Sequence, residues 1–247
     1  MKHKTRNLFF AAMVGLTVSS NGATFFTEDF SDNLATPNMA LGTGLGSPVT
    51  NTTGAFNITS GDNSRIYLGT NDVNYDTINF TFEADVTVPA AIFTSPWAIA
   101  FLGMGSPNAN VGGFGEPTTG SNLVMALRAD DLGNTGNLTS RNNGTAAAAF
   151  TGLGLTAGTH GMRMDWDAGS DTATFMFDLG NDGTYDPALT FTRNGADNGF
   201  TASNSQLFLG GGNGLSFDNI NVTAVPEPSA ALLGALGVLG LLRRRRI

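Results

Sequence analysis

The sequence predicts an all-β protein, an antiparallel sandwich of two sheets, on three observations. Ile78–Val88 alternates without interruption: Ile78, Phe80, Phe82, Ala84, Val86 and Val88 fall on one face, Asn79, Thr81, Glu83, Asp85 and Thr87 on the other. That period of two belongs to a strand with one dry and one wet face. Gly, Asn and Asp recur as turn signals throughout, and the chain holds 33 glycines. Helix signals are scarce away from the two ends; Ala146–Ala149, the one helical candidate, is a single turn. Strands without intervening helices bury their apolar faces by packing as two sheets. No internal repeat stands out, so a propeller or solenoid is not expected and one domain is.

The elements follow in order. Met39–Thr53, rich in Gly, Thr and Asn, reads as a loop or a short irregular strand. Pro89 ends the long alternating strand. Trp97–Gly103 is apolar on both faces and suits a central strand. Leu123–Arg128 is a third strand, with turn-rich Asp130–Asn134 behind it. Met162, Met164 and Trp166 then alternate with Arg163, Asp165 and Asp167, and Ala168-Gly169-Ser170 turns the chain. Thr172–Asp178 returns with Ala173, Phe175 and Phe177 on one face, and Asn181-Asp182-Gly183 turns again before Leu189–Thr192. This is a three-stranded meander. Gln206–Leu209 and Leu215–Thr223 close the domain.

Both ends read as processing segments. Lys2, Lys4 and Arg6 precede the apolar Leu8–Val18 and the small residues Ser19, Ser20, Gly22 and Ala23, the order of a secretory signal peptide. At the other end Ala230–Leu242 is apolar but covers only ~20 Å as a helix. Pro228, Ser229 and the snorkelling stems of Arg243, Arg244, Arg245 and Arg246 bring it close to a minimal transmembrane helix, and the arginines act as a membrane stop on the cytoplasmic side. The expected division is therefore 1–23 signal, 24–224 sandwich, 225–247 sorting tail. Val225-Pro226-Glu227-Pro228-Ser229, the apolar run and the arginines together resemble the PEP-CTERM sorting signal. That resemblance implies an exosortase-type transpeptidase as partner and a precursor anchored transiently in the inner membrane of a Gram-negative bacterium. It also implies cleavage near Pro226-Glu227-Pro228 and delivery to the cell surface or extracellular matrix, where exopolysaccharide is the expected company.

The body keeps five arginines (65, 128, 141, 163, 193), no lysine and nineteen carboxylates, a net charge near −14. A nucleic-acid partner needs a basic footprint, which is missing. Without lysine there is no Schiff-base chemistry. Without cysteine there is no thiol catalysis or zinc–thiolate site.

Phe25-Phe-Thr-Glu-Asp-Phe-Ser-Asp32 and Leu215-Ser-Phe-Asp-Asn-Ile-Asn-Val-Thr223 resemble the opening and closing strands of concanavalin A-like, laminin-G-type jelly rolls. The resemblance implies that the terminal strands pair and leave the concave face free; a galactose-binding-type jelly roll is the other sandwich considered. Laminarinase-type hydrolases of the first fold carry two glutamates on one strand. In Glu83-Ala-Asp-Val-Thr-Val88 the second is missing, and Thr87 and Val88 stand in its place, so the pair a retaining mechanism needs is absent. The body has one histidine, His160, and no Gly-x-Ser-x-Gly elbow to partner it. No enzyme is expected. A divergent polysaccharide hydrolase or lyase, and a protein-binding surface domain, are the alternatives to a carbohydrate-associated surface protein.

Two features suggest ligands. Asp178, Asn181, Asp182 and Asp186 gather hard oxygen ligands around a glycine turn, as calcium requires, though the spacing is not that of an EF-hand and a plain hairpin turn uses the same residues. Glu28, Asp29 and Asp218 form a second oxygen cluster if the terminal strands pair, a position where carbohydrate-binding jelly rolls keep structural calcium. Tyr67 and Tyr75 flank the loop Gly69–Asp72 and are the candidate ligand-binding aromatics, whereas Trp97 and Trp166 read as core.

Overall fold

The computed structural model describes residues 24–225, apart from 33–37, 46–49, 52, 59–64, 91–98, 107–121, 129–135, 143–144, 196–199, 202–203 and 213. The expected signal peptide, Trp97, Pro226–Pro228, the C-terminal apolar run and Arg243–Arg246 lie outside the described residues. Among the described residues, fifteen strands form two antiparallel sheets. They are β1 (Phe26–Glu28), β2 (Met39–Leu45), β3 (Thr50–Asn51), β4 (Phe56–Ile58), β5 (Arg65–Thr70), β6 (Phe80–Val88), β7 (Ile99–Gly105), β8 (Asn122–Arg128), β9 (Asn137–Asn142), β10 (Thr145–Thr151), β11 (Gly158–Asp167), β12 (Thr172–Asp178), β13 (Thr190–Asn194), β14 (Gln206–Gly211) and β15 (Ser216–Ala224).

The first sheet runs β13-β12-β11-β6-β15-β4-β3, with β1 also against β15; the second runs β10-β9-β8-β7-β14-β5-β2. The expected meander is β11-β12-β13, with Met164 opposite Phe175 and Phe175 opposite Phe191. The terminal strands pair, Phe26 opposite Val222 and Glu28 opposite Ile220. Both sheets turn their apolar alternates inward. Phe80, Phe82, Val86, Met162, Met164, Phe175, Phe177, Phe217 and Val222 from one sheet meet Leu102, Met104, Leu123, Met125, Leu207 and Leu209 from the other.

Two segments that the sequence leaves undefined take strand form. Ala146–Ala149 is no helical turn but part of β10, paired with β9 from Thr145 opposite Asn142 to Thr151 opposite Asn137; sheet pairing overrides the helix preference of alanine. Met39–Thr53, expected as a loop or a short irregular strand, supplies β2 and β3. Among the described residues no helix is long and apolar enough to cross a membrane.

Candidate functional site

Three adjacent strands of the first sheet, β11, β6 and β15, turn their polar alternates away from the core. Across β11 and β6, Arg163 lies opposite Glu83 and Asp165 opposite Thr81. Arg163 Nη1 donates to Glu83 Oε1 at 2.9 Å, while Nε and Nη2 donate to the two oxygens of Asp165 at 2.8 and 3.0 Å. Thr81 Oγ1 donates to Asp165 Oδ1 at 2.9 Å. Asp165 is the main reason the guanidinium titrates even higher than usual, and the cation is held between its two carboxylates.

Between β6 and β15 the register slips. Asp218 pairs with Asp85 and Asn221 with Glu83, leaving Asn219 and Ile220 against Ala84 alone. Asn219 adopts the left-handed region, φ +49, which asparagine tolerates. The resulting bulge re-aims side chains, as bulges do. Asn219 Nδ2 donates to Asp85 Oδ2 at 2.7 Å, and Asn221 Nδ2 to Glu83 Oε2 at 3.3 Å. Asn221 Oδ1 is buried and accepts no hydrogen bond within the protein.

Beside them, Phe30 is buried with φ +50 and donates its N–H to Glu28 Oε1 at 2.8 Å. Asp29 Oδ1 accepts from Ser31 N–H at 3.0 Å, and these bonds hold its carboxyl below the usual range. Tyr185 supplies the opposite wall, with the Arg163 guanidinium 5.6 Å from its ring centre. Burial and then the Glu83 charge push its phenol well above the usual range. Thr27, Glu28, Asp29, Glu83, Asp85, Tyr185, Asn219 and Asn221 line a cleft of about 500 Å³. Asp218 stands beside it; burial first, then the charges of Asp85, Asp29 and Glu28, raise its carboxyl.

The arrangement offers carboxylate and amide oxygens with fixed directions, amide donors and one half-buried aromatic ring. These groups suit the hydroxyls and apolar faces of a polyol. Residues 224–246 match the PEP-CTERM protein-sorting motif. The motif marks an exported, membrane-anchored precursor sorted by an exosortase. No curated protein matches the sequence. Among solved structures, the chain is similar to winged bean acidic lectin complexed with methyl-α-D-galactose: TM-score 0.57, 11% identity, 81% of this chain and 98% of that one. It is similar also to a protein of unknown function from Shewanella oneidensis MR-1, with TM-score 0.56, 15% identity, and 90% and 96% coverage. A third is the exoplasmic/lumenal domain of VIP36 in its Ca²⁺/Man-bound form, with TM-score 0.54, 9% identity, and 78% and 85% coverage. The fold is thus the concanavalin A-like jelly roll, not the galactose-binding type.

The sequence-predicted residues divide. Glu83 and Asp85 line the cleft, as do Glu28 and Asp29, and Asp218 is close enough to feel their charge. Asp178, Asn181, Asp182 and Asp186 instead build the turn after β12. Asp178 is buried and its carboxylate accepts from Asp182 N–H at 3.2 Å and Gly183 N–H at 2.9 Å. Asn181 takes φ +52, Asp182 accepts from Thr184 N–H, and Asp186 caps the short 3₁₀ turn Pro187–Leu189 through Ala188 N–H. Their oxygens are engaged by the backbone, and among the described residues no three His, Cys, Asp or Glu side chains are grouped to hold a metal ion. These groups do not fit a calcium site.

Tyr75 is core, fully buried, its hydroxyl donating to the Thr24 carbonyl at 2.7 Å. Tyr67 sits on the second sheet, edge-on to Phe208, so neither tyrosine reaches the cleft. Trp166 is core, as expected, with Nε1 donating to the Asp76 carbonyl. His160 is also buried; its Nδ1 accepts from Gly180 N–H and its Nε2 bonds the Thr156 carbonyl, both at 3.0 Å. Sequence reasoning did not single out Tyr185 or Arg163. The turn Asn181–Gly183 places Tyr185 over β11, with its ring beside Gly161.

Proposed function

We propose that the sandwich is a non-enzymatic, carbohydrate-binding domain of the cell surface or extracellular matrix, and that the cleft beside Tyr185 is its glycan site. One observation carries this reading: Tyr185 stands against oriented Glu83, Asp85, Asn219 and Asn221 in a single cleft. The carboxylates disfavour uronate-rich polymers, so the ligand class is a neutral or amine-bearing polysaccharide. The sugar-bound lectins that share the fold are precedent for such a site on this scaffold. The two-glutamate strand motif of a retaining hydrolase is incomplete here, because Thr87, the next outward position on β6, stands where its second glutamate would and shares a hydrogen bond with the Thr159 hydroxyl.

The test is retention of residues 24–225 on a panel of neutral, amino and uronic polysaccharides, with calcium and with EDTA. Retention on a neutral or amino polymer, indifferent to EDTA, is expected. Tyr185→Ala should weaken it about tenfold, the value of one lost aromatic contact. Loss of retention in EDTA would return calcium to Asp178–Asp186 or Asp218. No retention by the folded protein on any polymer would sink the carbohydrate reading in favour of a protein-binding surface.

A further inference from the structure

The sorting motif and the sandwich overlap. The matched motif begins at Ala224, yet Ala224 is the last residue of β15 and pairs with Phe80. Val225 N–H then donates to the Asn79 carbonyl at 2.9 Å. On the other edge β1 holds the same strand, Phe26 against Val222. Pro226 has no amide hydrogen, so the ladder cannot extend beyond Val225. Only Pro226–Ser229 separates that last bond from the apolar run at Ala230, a reach of ~14 Å fully extended.

We propose that removal of the tail is gated by the end of β15: the sorting transpeptidase acts on a strand end peeled from the sheet, not on a free linker. The proposal rests on the sorting role of residues 224–246. An enzyme that breaks a peptide bond must engage backbone on both sides of it, and a folded substrate supplies that backbone only through local opening. On the N-terminal side of Pro226 the backbone of Ala224 and Val225 is already paired within the sheet.

Burial gives the gate a length. Thr223, Ala224 and Val225 are exposed, Val225 at 45%, whereas Val222 and Ile220 are fully buried. Peeling residues 223–225 therefore breaks ladder bonds but uncovers little core, and the opening stops at Val222. In the step itself the peptide C–N bond breaks, the acyl carbon passes to an acceptor amine or to water, and the tail leaves with a new amino terminus.

The test uses the full chain in an exosortase-bearing host, with tail loss followed by pulse–chase. Thr81 and Thr223 are cross-strand partners, and the chain has no cysteine. Thr81→Cys with Thr223→Cys therefore introduces one disulfide that pins the strand end. The oxidised double variant should lose its tail about tenfold more slowly than the wild type, and reduction should restore the rate. A six-residue Gly-Ser insertion between Ala224 and Val225 keeps the Val-Pro-Glu-Pro run intact. It should accelerate tail loss and make the pinned chain as fast as the unpinned one. Processing of the pinned, folded chain at the wild-type rate would overturn the gate, as would a slow pinned chain that the spacer does not rescue. A wild-type chain that never loses its tail would overturn the sorting role itself, which separates the two failures.

Discussion

Along β6 the residues turned away from the core are Thr81, Glu83, Asp85 and Thr87; along β7, β8 and β14 they are Phe101, Val124, Ala126 and Phe208. The two sheets share one core, yet among the described residues the central strands of the second sheet are buried on both faces, while the first sheet has a wet outer face. The second sheet buries a further apolar cluster, with Tyr67 at its margin. A sheet dry on both faces contributes packing, while a sheet dry on one can display charge. The candidate site accordingly lies on the first sheet, where alternation is cleanest.

The largest effect expected from this contrast is energetic. Phe208 is fully buried within the outer cluster, in edge-to-face contact with Phe101 and Tyr67. Phe208→Ala should cost about 3–5 kcal/mol, as a core phenylalanine does. Glu83→Ala, at an equally outward position of the first sheet, should cost about 1–2 kcal/mol, the value of a charged hydrogen bond partly open to water. Denaturant midpoints decide it: equal costs would erase the distinction between the faces.

Gly103 sharpens the same comparison. A Cβ there would meet the Leu123 carbonyl oxygen at 2.3 Å and Val124 Cα at 2.9 Å. Both are backbone atoms of the adjacent strand and cannot swing aside, so Gly103→Ala should destabilise by about 1–3 kcal/mol. An unchanged midpoint would mean that β7 and β8 lie less closely than their register implies.

Most of this architecture was legible in the chain because alternation is a direct record of burial. Ile78–Val88, Met162–Trp166 and Thr172–Asp178 announced their faces, and the doubly apolar run ending at Gly103 announced a strand whose described part, Ala100–Gly103, is dry on both sides. Strands β4, β5, β9 and β10 were not anticipated: Phe56–Ile58 and Arg65–Thr70 are too short to show a period, Asn137–Asn142 and Thr145–Thr151 lack a clean alternation, and all four are fixed by the strands that pair with them. The cleft was half legible. Glu83 and Asp85 were visible as outward carboxylates, but Tyr185 and the Asn219 bulge depend on a turn and a register slip that no local pattern encodes. The Asp178–Asp186 loop misled for a related reason, since the same oxygen-rich residues serve a cation or their own backbone.

His160 links that loop to β11 and gives the next effect. Its two bonds require the neutral ring with hydrogen on Nε2, stacked on Phe177. Burial lowers its pKa, opposed by the Thr156 carbonyl and the Asp178 charge. The folded pKa lies below the unfolded 6.5, so the unfolded chain takes up the proton first. Stability should be level above about pH 6.5 and fall as the pH drops from there through the folded pKa. His160→Asn should be less stable at neutral pH yet lack that decline in a series of denaturant midpoints. A parallel decline in both proteins would remove the histidine as its cause.

The smallest effect has the opposite sign and belongs to the wet face. Asp218 and Asp85 are cross-strand partners of like charge, and burial together with Asp85, Asp29 and Glu28 raises the Asp218 carboxyl above 3.8. A carboxyl that binds its proton more tightly when folded stabilises the fold as the pH falls through its raised pKa toward 3.8, and opposes folding once ionised. Asp218→Asn keeps the shape and removes the charge, so it should stabilise the protein at pH 7 by a few tenths of a kcal/mol, the scale of one exposed cross-strand pair. The gain should vanish near pH 3.8, where the wild-type carboxyl is itself protonated, and shrink in high salt. A variant less stable than the wild type at neutral pH would mean that Asp218 is held by a favourable partner, and the carboxylates beside the cleft would then not be under mutual strain.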